Sequence, residues 1–320
     1  MAITKIKRGD KSEWLELRKR YIGGADAAAV CGLNEFQSPY SLWTEKCGIM
    51  PEFTGNLRTE TGAFLEDFVA KKFEQETGKK VQRSNFTFFN SAYPWGCCDI
   101  DRFIPSEDAI LECKVVNELQ LKHYANGDYP PRFYVQIMHY LTILDKKIGY
   151  LAVLIGTGKE FRWFTIERND AEAESLMALE KQFYEYMTSG NPPPVDGSES
   201  TKEALTAQIR NDQKEEDIPE PVDLNDKKAM LNTLMEIENT IKQLEDQKES
   251  IRNQLIQTIG NAHEGLCEGY KITFKPQSRK TFDWKLLQKE KPQMNLEGYF
   301  KTSTSRTLKI KPISDETNQE

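Results

Sequence analysis

A short apolar segment interrupted by two charges, residues 109–117, constrains the fold of this chain more than any other stretch. Its apolar side chains predict a buried strand, and Glu112 and Lys114 interrupt them two residues apart. Side chains at positions i and i+2 of a strand point to the same face, so a carboxylate and an ammonium share one face. Buried charges must be paired or must bind a metal. The pattern predicts either a strand-surface ion pair or a metal-dependent site.

An acidic segment lies just before this strand. Asp101 ends a second predicted strand and residues 105–109 form a predicted turn, so a hairpin would bring Asp101 beside Glu112 and Lys114. Two carboxylates select Mg²⁺ or Mn²⁺, which polarises a phosphate and lowers the pKa of a bound water. A lysine can orient that water, help to deprotonate it or neutralise the transition state. The set suits a phosphodiesterase and resembles the PD-(D/E)xK nuclease motif, written here Asp101…Glu112-Cys113-Lys114.

Length and composition narrow the class of protein. The 320 residues suggest two domains, or one domain with a substantial appendage. A net charge of −7 is unlike a protein coated in basic residues, although an acidic nuclease can line one channel with basic groups. The six cysteines form no C-x-x-C pair, which favours reduced thiols. Without an apolar segment near the amino terminus or one approaching ~18 residues, we expect a cytoplasmic protein that contacts no membrane.

The amino-terminal region combines basic residues with a glycine turn. A helix predicted over residues 11–20 ends with Arg18 and Arg20, just before a turn that includes Gly24 and Ala25 and opens the next helix. Arginines and a helix N-terminus both suit a phosphate. A solvated basic helix end explains the same spacing, so both interpretations stay open here.

A long helix predicted over residues 59–78 carries a carboxylate close to its apolar face. That face includes Phe64 and Phe68, and Glu66 lies on it or at its edge. A carboxylate in such a position is uncommon unless it meets a partner or a metal. Glu66 is therefore either a site residue or a rim side chain paired with a lysine.

A further helix, predicted over residues 133–144, carries Gln136 and His139 among its apolar side chains. Gln136 suits an attacking water or a backbone phosphate, and also suits the cap of a strand edge. We expect His139 to be structural, since buried polar side chains are usually satisfied by hydrogen bonds within the protein.

Composition divides the chain into four segments. Residues 1–195 hold all of these motifs and form the predicted nuclease domain, and residues 196–223 are an acidic, proline-containing linker. Residues 224–260 predict a long helix with an apolar seam over about four heptads, which would pair between subunits or fold back on its own chain. Residues 261–320 form a small basic α/β tail with a disordered end.

The tail differs in charge from the rest of the chain. Residues 270–312 contain eleven Lys and Arg residues and three Asp and Glu residues. A basic surface beside aromatic side chains suits DNA or an acidic partner. A small charged domain that binds no ligand is the alternative.

Several motifs occur in a characteristic order along residues 10–195: Trp14-Leu-Glu-Leu-Arg18, Ile22-Gly-Gly-Ala-Asp26, Gly62…Leu65-Glu66, Asp101-Arg102, Leu111-Glu112-Cys-Lys114 and Tyr134-Val-Gln136-Ile-Met-His-Tyr140. This order resembles the YqaJ-like viral recombinase family, relatives of the phage lambda exonuclease. The resemblance implies an α/β (α+β) fold like that of restriction endonucleases, with a mixed central sheet flanked by helices.

The resemblance also implies an activity. Its members are Mg²⁺-dependent exonucleases that degrade duplex DNA from the 5′ end and leave a 3′ strand for a single-strand annealing protein of the RecT-like kind. Relatives form closed rings of three or four subunits. The resemblance therefore implies DNA ends and an annealing protein as partners, in the cytoplasm of a bacterial host.

Individual residues match the family's functional positions. The matches are Asp101 and Glu112 for the metal ligands, Lys114 for the catalytic lysine, Glu66 for a helix carboxylate near the metal, Gln136 for a glutamine after the hairpin, and Arg18 for the 5′-phosphate anchor. Ala25 departs from the family, which often has serine there, so backbone N–H groups would have to replace a hydroxyl. Asp99 is an alternative metal ligand to Asp101, which we prefer.

Two other functions are consistent with the same motifs. An endonuclease or nickase would use the same site, and an inactive DNA-binding scaffold would load a recombinase. The complete acid–acid–lysine set argues against the scaffold. An iron–sulfur nuclease of the Cas4 type needs a late cysteine cluster, whereas only Cys267 follows Cys113.

Overall fold

A five-stranded mixed sheet organises the first of two units into which the chain divides, Met1–Pro219 and Glu220–Glu320. The structure is a computed structural model that describes residues 2–51, 55–156, 158–212, 222–276, 278 and 284–291. The elements of the first unit are, in chain order, β1 (Ile3–Lys7), α1 (Lys11–Arg20), α2 (Gly24–Val30), α3 (Pro39–Lys46), α4 (Leu57–Thr77), β2 (Gln82–Arg83), β3 (Phe86–Asn90), β4 (Arg102–Ile104), β5 (Ala109–Val116), a 3₁₀ segment (Glu118–Gly127), α5 (Pro131–Ile143), β6 (Ile148–Ile155), β7 (Glu160–Glu167), α6 (Asp170–Ser189) and α7 (Glu199–Asp212).

The sheet runs in the order β2-β4-β5-β6-β7, with β5 and β6 parallel and the other neighbouring pairs antiparallel. The chain crosses over through α5 between the two parallel strands, because strands that run in the same direction need a long connection. A separate two-stranded sheet pairs β1 with β3. This arrangement confirms the predicted mixed sheet flanked by helices.

The predicted hairpin is formed by β4 and β5, with Arg102 opposite Leu111. Its turn includes Asp108, whose φ of 51° lies in the left-handed region that short acidic side chains tolerate. One residue further along this register, Asp101 falls opposite Glu112. The hairpin therefore places the two acids side by side.

Alternation along β5 distributes its side chains between two cores. Ile110 belongs to the cluster that includes the apolar face of α5, and Leu111 belongs to the cluster that includes α4. Glu112 and Lys114 are an even number of residues from Ile110, so they point toward α5. The period-two pattern of the sequence thus decides which helix the charged pair meets.

The apolar face of α4 is narrower than the sequence predicts. Val69 and Phe73 are fully buried, whereas Phe64 is 85% exposed and Phe68 is 52% exposed. The stripe that packs on the sheet consists of Leu65, Val69, Ala70 and Phe73. The assignment of Phe64 and Phe68 to the inward face is therefore wrong.

The segment predicted as a linker over residues 196–223 contains the helix α7. Thr201 donates from Oγ1 to Oγ of Ser38 at 2.7 Å, and Tyr40 donates from its hydroxyl to Oε1 of Gln208 at 3.1 Å. These hydrogen bonds attach α7 to α3, so the first unit extends beyond the boundary predicted at residue 195. Residues 213–221 lie outside the described part of the chain.

The second unit contains a 3₁₀ turn (Asn225–Lys227), α8 (Lys228–Ile259), β8 (Glu264–Cys267), β9 (Tyr270–Thr273) and α9 (Trp284–Glu290), with β8 and β9 paired antiparallel. α8 is the long helix predicted over residues 224–260. Its heptad side chains are exposed within the described unit: Met230, Ile237, Ile241, Leu244, Ile251 and Leu255. The disordered end predicted for the tail lies outside the described residues. Among the helices that are described, none has the length and apolar character needed to cross a bilayer.

Candidate active site

The hairpin and α5 together hold the acid–acid–lysine set. Asp101 accepts a hydrogen bond through Oδ2 from the backbone N–H of Cys113 at 2.8 Å. Glu112 accepts through Oε1 from Nζ of Lys114 at 2.6 Å and from Nε2 of Gln136 at 2.7 Å. The structure therefore brings together four residues that the sequence analysis selected.

Burial and neighbouring carboxylates raise the pKa values of both acids. Burial raises the pKa of Asp101 well above its ordinary value, and the charges of Glu112 and Glu66 raise it further. Burial also raises the pKa of Glu112, against the opposing effect of Lys114. Two adjacent acids that resist ionisation are a setting in which a bound cation would be strongly favoured.

One carboxylate oxygen indicates that the pair fits a divalent metal. Oε2 of Glu112 is buried and has no hydrogen-bond partner among the described residues. A buried, unsatisfied carboxylate oxygen is costly, and Mg²⁺ takes oxygen ligands. No three His, Cys, Asp or Glu side chains in the described ranges are grouped as a complete ligand set. Mg²⁺ commonly uses one or two carboxylates with waters and substrate oxygens, so Asp101 and Glu112 suffice for such a site.

Glu66 lies near the acids but is held by an arginine. Arg102 is 3% exposed and donates to the carboxylates of Glu66 and Asp67 on α4. The Glu66 charge still raises the pKa of Asp101, which places it within electrostatic reach of the site. The sequence analysis assigned Arg102 no role of its own, whereas the structure shows that it joins α4 to the hairpin.

Gln136 lies inside the site rather than at a strand edge. Besides its bond to Glu112, Nε2 of Gln136 approaches the Tyr140 hydroxyl at 2.9 Å. Tyr140 also explains Gly24, because a Cβ added at Gly24 would lie 2.2 Å from the Tyr140 ring. Tyr140 is a site residue that the sequence analysis missed; its spacing of four residues from Gln136 on a helix was the available signal.

A buried ion network holds the predicted phosphate anchor. Nη2 of Arg18 donates to Oδ1 of Asp26 at 3.1 Å, and Nζ of Lys46 donates to Oδ2 at 2.6 Å. Asp26 also accepts from the backbone N–H of Gly23, the N-cap of α2, at 2.9 Å. Burial raises the pKa of Asp26, but Lys46 and Arg18 outweigh it and lower the pKa to about 2. Lys46 was not predicted, because nothing in sequence links it to a residue twenty positions away.

A cavity of about 260 Å³ joins this network to the acids. Its lining residues are Arg8, Trp14, Arg18, Gly23, Gly24, Ala25, Asp26, Cys97, Asp99, Asp101, Glu112 and Tyr140. The predicted phosphate residues and the predicted metal ligands therefore share one cavity. Arg20 lines a different depression, beside Lys19 and Lys46, and the structure does not bring it to the acids.

Asp99 lies in the cavity with its oxygens already engaged. It accepts from Oγ1 of Thr87 at 2.6 Å and from Nε1 of Trp14 at 2.9 Å, and Nε of Arg8 lies 3.3 Å away. These contacts distinguish it from Asp101, which lies beside Glu112.

His139 is structural, as its position on an apolar helix face predicts. Its ring is fully buried between Oε1 of Glu180 at 2.7 Å and the carbonyl oxygen of Cys97 at 2.8 Å. These bonds attach α5 both to α6 and to the segment that leads into Asp99.

A mixed sheet whose hairpin brings two acids and a lysine together has the arrangement of the PD-(D/E)xK nucleases, and this is the class that the fold and the site define. The chain belongs to the YqaJ-like viral recombinase family, whose domain model matches residues 13–159. The uncharacterized protein YqaJ of Bacillus subtilis (strain 168) is 31% identical over 317 residues, covering 98% of each chain. The resemblance drawn from the sequence is confirmed, and membership of the family supports a nuclease role.

The chain is also similar, over part of its length, to solved exonuclease structures. The alkaline exonuclease LHK-Exo from Laribacter hongkongensis has 13% identity and a TM-score of 0.48, covering 63% of this chain and 99% of that chain. A phage-related exonuclease from Haemophilus somnus 129PT has 12% identity and a TM-score of 0.41, covering 55% of this chain and 99% of that chain.

Proposed function

We propose that the chain is a Mg²⁺-dependent 5′→3′ exonuclease that acts on double-stranded DNA ends. One observation carries the proposal: the cavity of about 260 Å³ is lined both by the acids Asp101 and Glu112 and by Arg18. An arginine that holds a terminal phosphate beside a phosphodiester-cleaving site would select strand ends. Mn²⁺ would substitute for Mg²⁺, since both prefer oxygen ligands.

Each side chain has a role in this proposal. Asp101 and Glu112 would hold the metal, which when bound polarises the phosphate and lowers the pKa of a water. Gln136 fixes Glu112 through its amide, so that the carboxylate points into the cavity. Lys114 orients the attacking water and offsets charge that develops on the phosphate. Glu66 supports the site at longer range and Asp99 takes no metal in this scheme.

The substrate end is recognised by a fixed guanidinium. Arg18 is held by Asp26 at the wall of the cavity, so its guanidinium would bind a 5′-phosphate without losing much side-chain freedom. The backbone at Gly24 and Ala25 forms the adjoining wall of the cavity. α2 is only seven residues long, so few peptide dipoles add up at its N-terminus. This scheme therefore assigns phosphate binding to the Arg18 side chain and not to the dipole of α2.

The biological role follows from the product. Removal of nucleotides from the 5′ end leaves a 3′ single strand, which a RecT-like annealing protein would use in phage or prophage recombination in the bacterial cytoplasm. A closed ring of three or four subunits would keep the enzyme on its strand without tight binding of any one phosphate.

The test uses linear duplex DNA with 5′-phosphate or 5′-hydroxyl ends, together with closed circles, in Mg²⁺ and in EDTA. We expect Mg²⁺-dependent loss of linear DNA only, and faster loss with the 5′-phosphate. Cleavage of circles would instead identify an endonuclease or nickase. Absence of cleavage with Mg²⁺ and with Mn²⁺ would leave the scaffold function.

A pair of variants localises the activity. Lys114→Ala should lower the cleavage rate at least about a hundredfold, since general acid–base and electrostatic contributions are of that order. Lys122→Ala removes an exposed lysine and is the matched control. Normal cleavage by the Lys114 variant would contradict the site assignment.

A further inference from the structure

Arg8 lies between β1 and α1 and lines the same cavity as Arg18, Asp101 and Glu112. We propose that Arg8 is a second phosphate-binding residue, which together with Arg18 recognises the terminal 5′-phosphate of a DNA strand. The inference rests on the proposed exonuclease function and deepens it by naming a determinant of the substrate end. Arg8 precedes residues 13–159, over which the family model matches.

The guanidinium of Arg8 has donors that no residue uses. Its Nε and Nη2 atoms are buried and form no hydrogen bond with the described residues, although the side chain as a whole is 35% exposed. Leaving a buried donor of a charged group without an acceptor is energetically costly. Because these donors hold no hydrogen bonds, turning the guanidinium toward a ligand would break none.

Asp99 holds Arg8 at the cavity by an ion pair and accepts no hydrogen bond from the Nε or Nη2 donors of the guanidinium. Nε of Arg8 lies 3.3 Å from Oδ1 of Asp99, in an ion pair that lacks hydrogen-bond geometry. Asp99 instead accepts short hydrogen bonds from Thr87 and Trp14. The carboxylate therefore keeps the arginine in place while the guanidinium stays available to phosphate oxygens, which it matches in a bidentate geometry.

The charge around the cavity explains why a second arginine is needed. The carboxylates of Asp26 and Asp99 line it and would repel an anion, while the guanidinium of Arg18 is already paired with Asp26. A terminal phosphate monoester carries about −1.5 to −2 charge at neutral pH, more than an internal phosphodiester. Two guanidinium groups therefore favour a terminal phosphate over an internal one.

The test measures binding without cleavage. Full-length wild type, Arg8→Gln and Arg8→Lys are titrated against fluorescent duplexes with 5′-phosphate or 5′-hydroxyl ends, in EDTA, by anisotropy. The measured ratio is the Kd of the 5′-hydroxyl duplex divided by the Kd of the 5′-phosphate duplex. We expect this ratio to fall about tenfold in Arg8→Gln, which corresponds to about 1.4 kcal/mol, and to fall less in Arg8→Lys. Lys7→Gln removes the same charge from the exposed face of β1 and should keep the wild-type ratio.

Several outcomes would overturn the inference. A wild-type ratio near one, an unchanged ratio in Arg8→Gln, or equal weakening of both duplexes would each show that Arg8 does not read the phosphate. Arg8→Lys retains the charge, so it tests the bidentate contact even where Arg8→Gln folds poorly by circular dichroism. Failure here is separable from failure of the exonuclease: Mg²⁺-dependent hydrolysis of linear DNA with an unchanged ratio refutes the Arg8 role alone. If the ratio of Kd values falls in Arg8→Gln but the wild type hydrolyses no DNA, the result refutes the exonuclease alone.

Discussion

Replacement of Asp26 by asparagine removes the charge at the centre of the network that holds Arg18. Asp26 is 2% exposed, and its folded pKa of about 2 lies below the ordinary value of 3.8, because Lys46 and Arg18 outweigh the opposing effect of burial. One pKa unit corresponds to about 1.4 kcal/mol, so the ionised carboxylate contributes about 2 kcal/mol of stability at neutral pH. The variant also leaves the buried Lys46 ammonium without a counter-ion, with only the carbonyl oxygens of Arg18 and Tyr21 as acceptors, which brings the expected loss to about 3–5 kcal/mol.

The pH dependence separates this charge effect from a packing effect. A carboxyl whose pKa is lower in the folded state stabilises the protein above its unfolded pKa, and that stability is lost as the pH falls toward 2. Urea unfolding should therefore show a large gap in the free energy of unfolding between wild type and Asp26→Asn at pH 7, and a smaller gap at pH 3. Asp128→Asn, which changes an exposed carboxylate, is the control with almost no gap.

A second substitution tests the partner directly. Adding Lys46→Met to Asp26→Asn removes the buried ammonium that has lost its counter-ion, so the double variant should be more stable than the single one. Equal stability of wild type and Asp26→Asn at pH 7, or a gap that does not change with pH, would refute the argument that an ionised Asp26 holds the network together.

Three further predictions follow from other contacts. Gly24→Ala should lower the free energy of unfolding by about 1–3 kcal/mol, because its Cβ would overlap the Tyr140 ring; an unchanged urea midpoint would contradict this. Gln136→Met should raise the Mg²⁺ concentration for half-maximal cleavage about tenfold, by removing the donor to Glu112, which we propose holds the metal; an unchanged Mg²⁺ titration would argue against that role. Ile241→Asp should reduce the mass of the assembly that the full chain forms, as measured by sedimentation, while Thr240→Asp, beside the apolar seam of α8, should not. Equal assembly masses for the two variants would exclude pairing through α8.

The parts of the site that depend on local periodicity could be predicted from the sequence. Alternation along residues 109–117 placed Glu112 and Lys114 on one face, and the short turn before them paired that strand with Asp101. Both inferences use strand geometry alone, which needs no knowledge of the remaining chain.

The parts that depend on distant packing could not be predicted. The two acids that hold Arg102 lie on α4, some thirty-five positions away in the chain, and Lys46 at the end of α3 meets Asp26 in the first turn of α2. Phe64 was misplaced for a related reason, since a helix with apolar residues on several sides does not reveal which side its neighbours cover. Ion pairs and helix rotation are decided only when the elements assemble.

The pairing of β1 with β3 has a consequence for how the protein is made. The two strands are about eighty residues apart, and a ribosome that adds about 5–20 residues per second needs several seconds to cover that distance. During this interval the first strand has no partner from its own sheet, and Arg8, which bonds through its backbone N–H to Asn85, has no fixed position. The amino-terminal side of the cavity is thus synthesised first and ordered late, once β3 has been made.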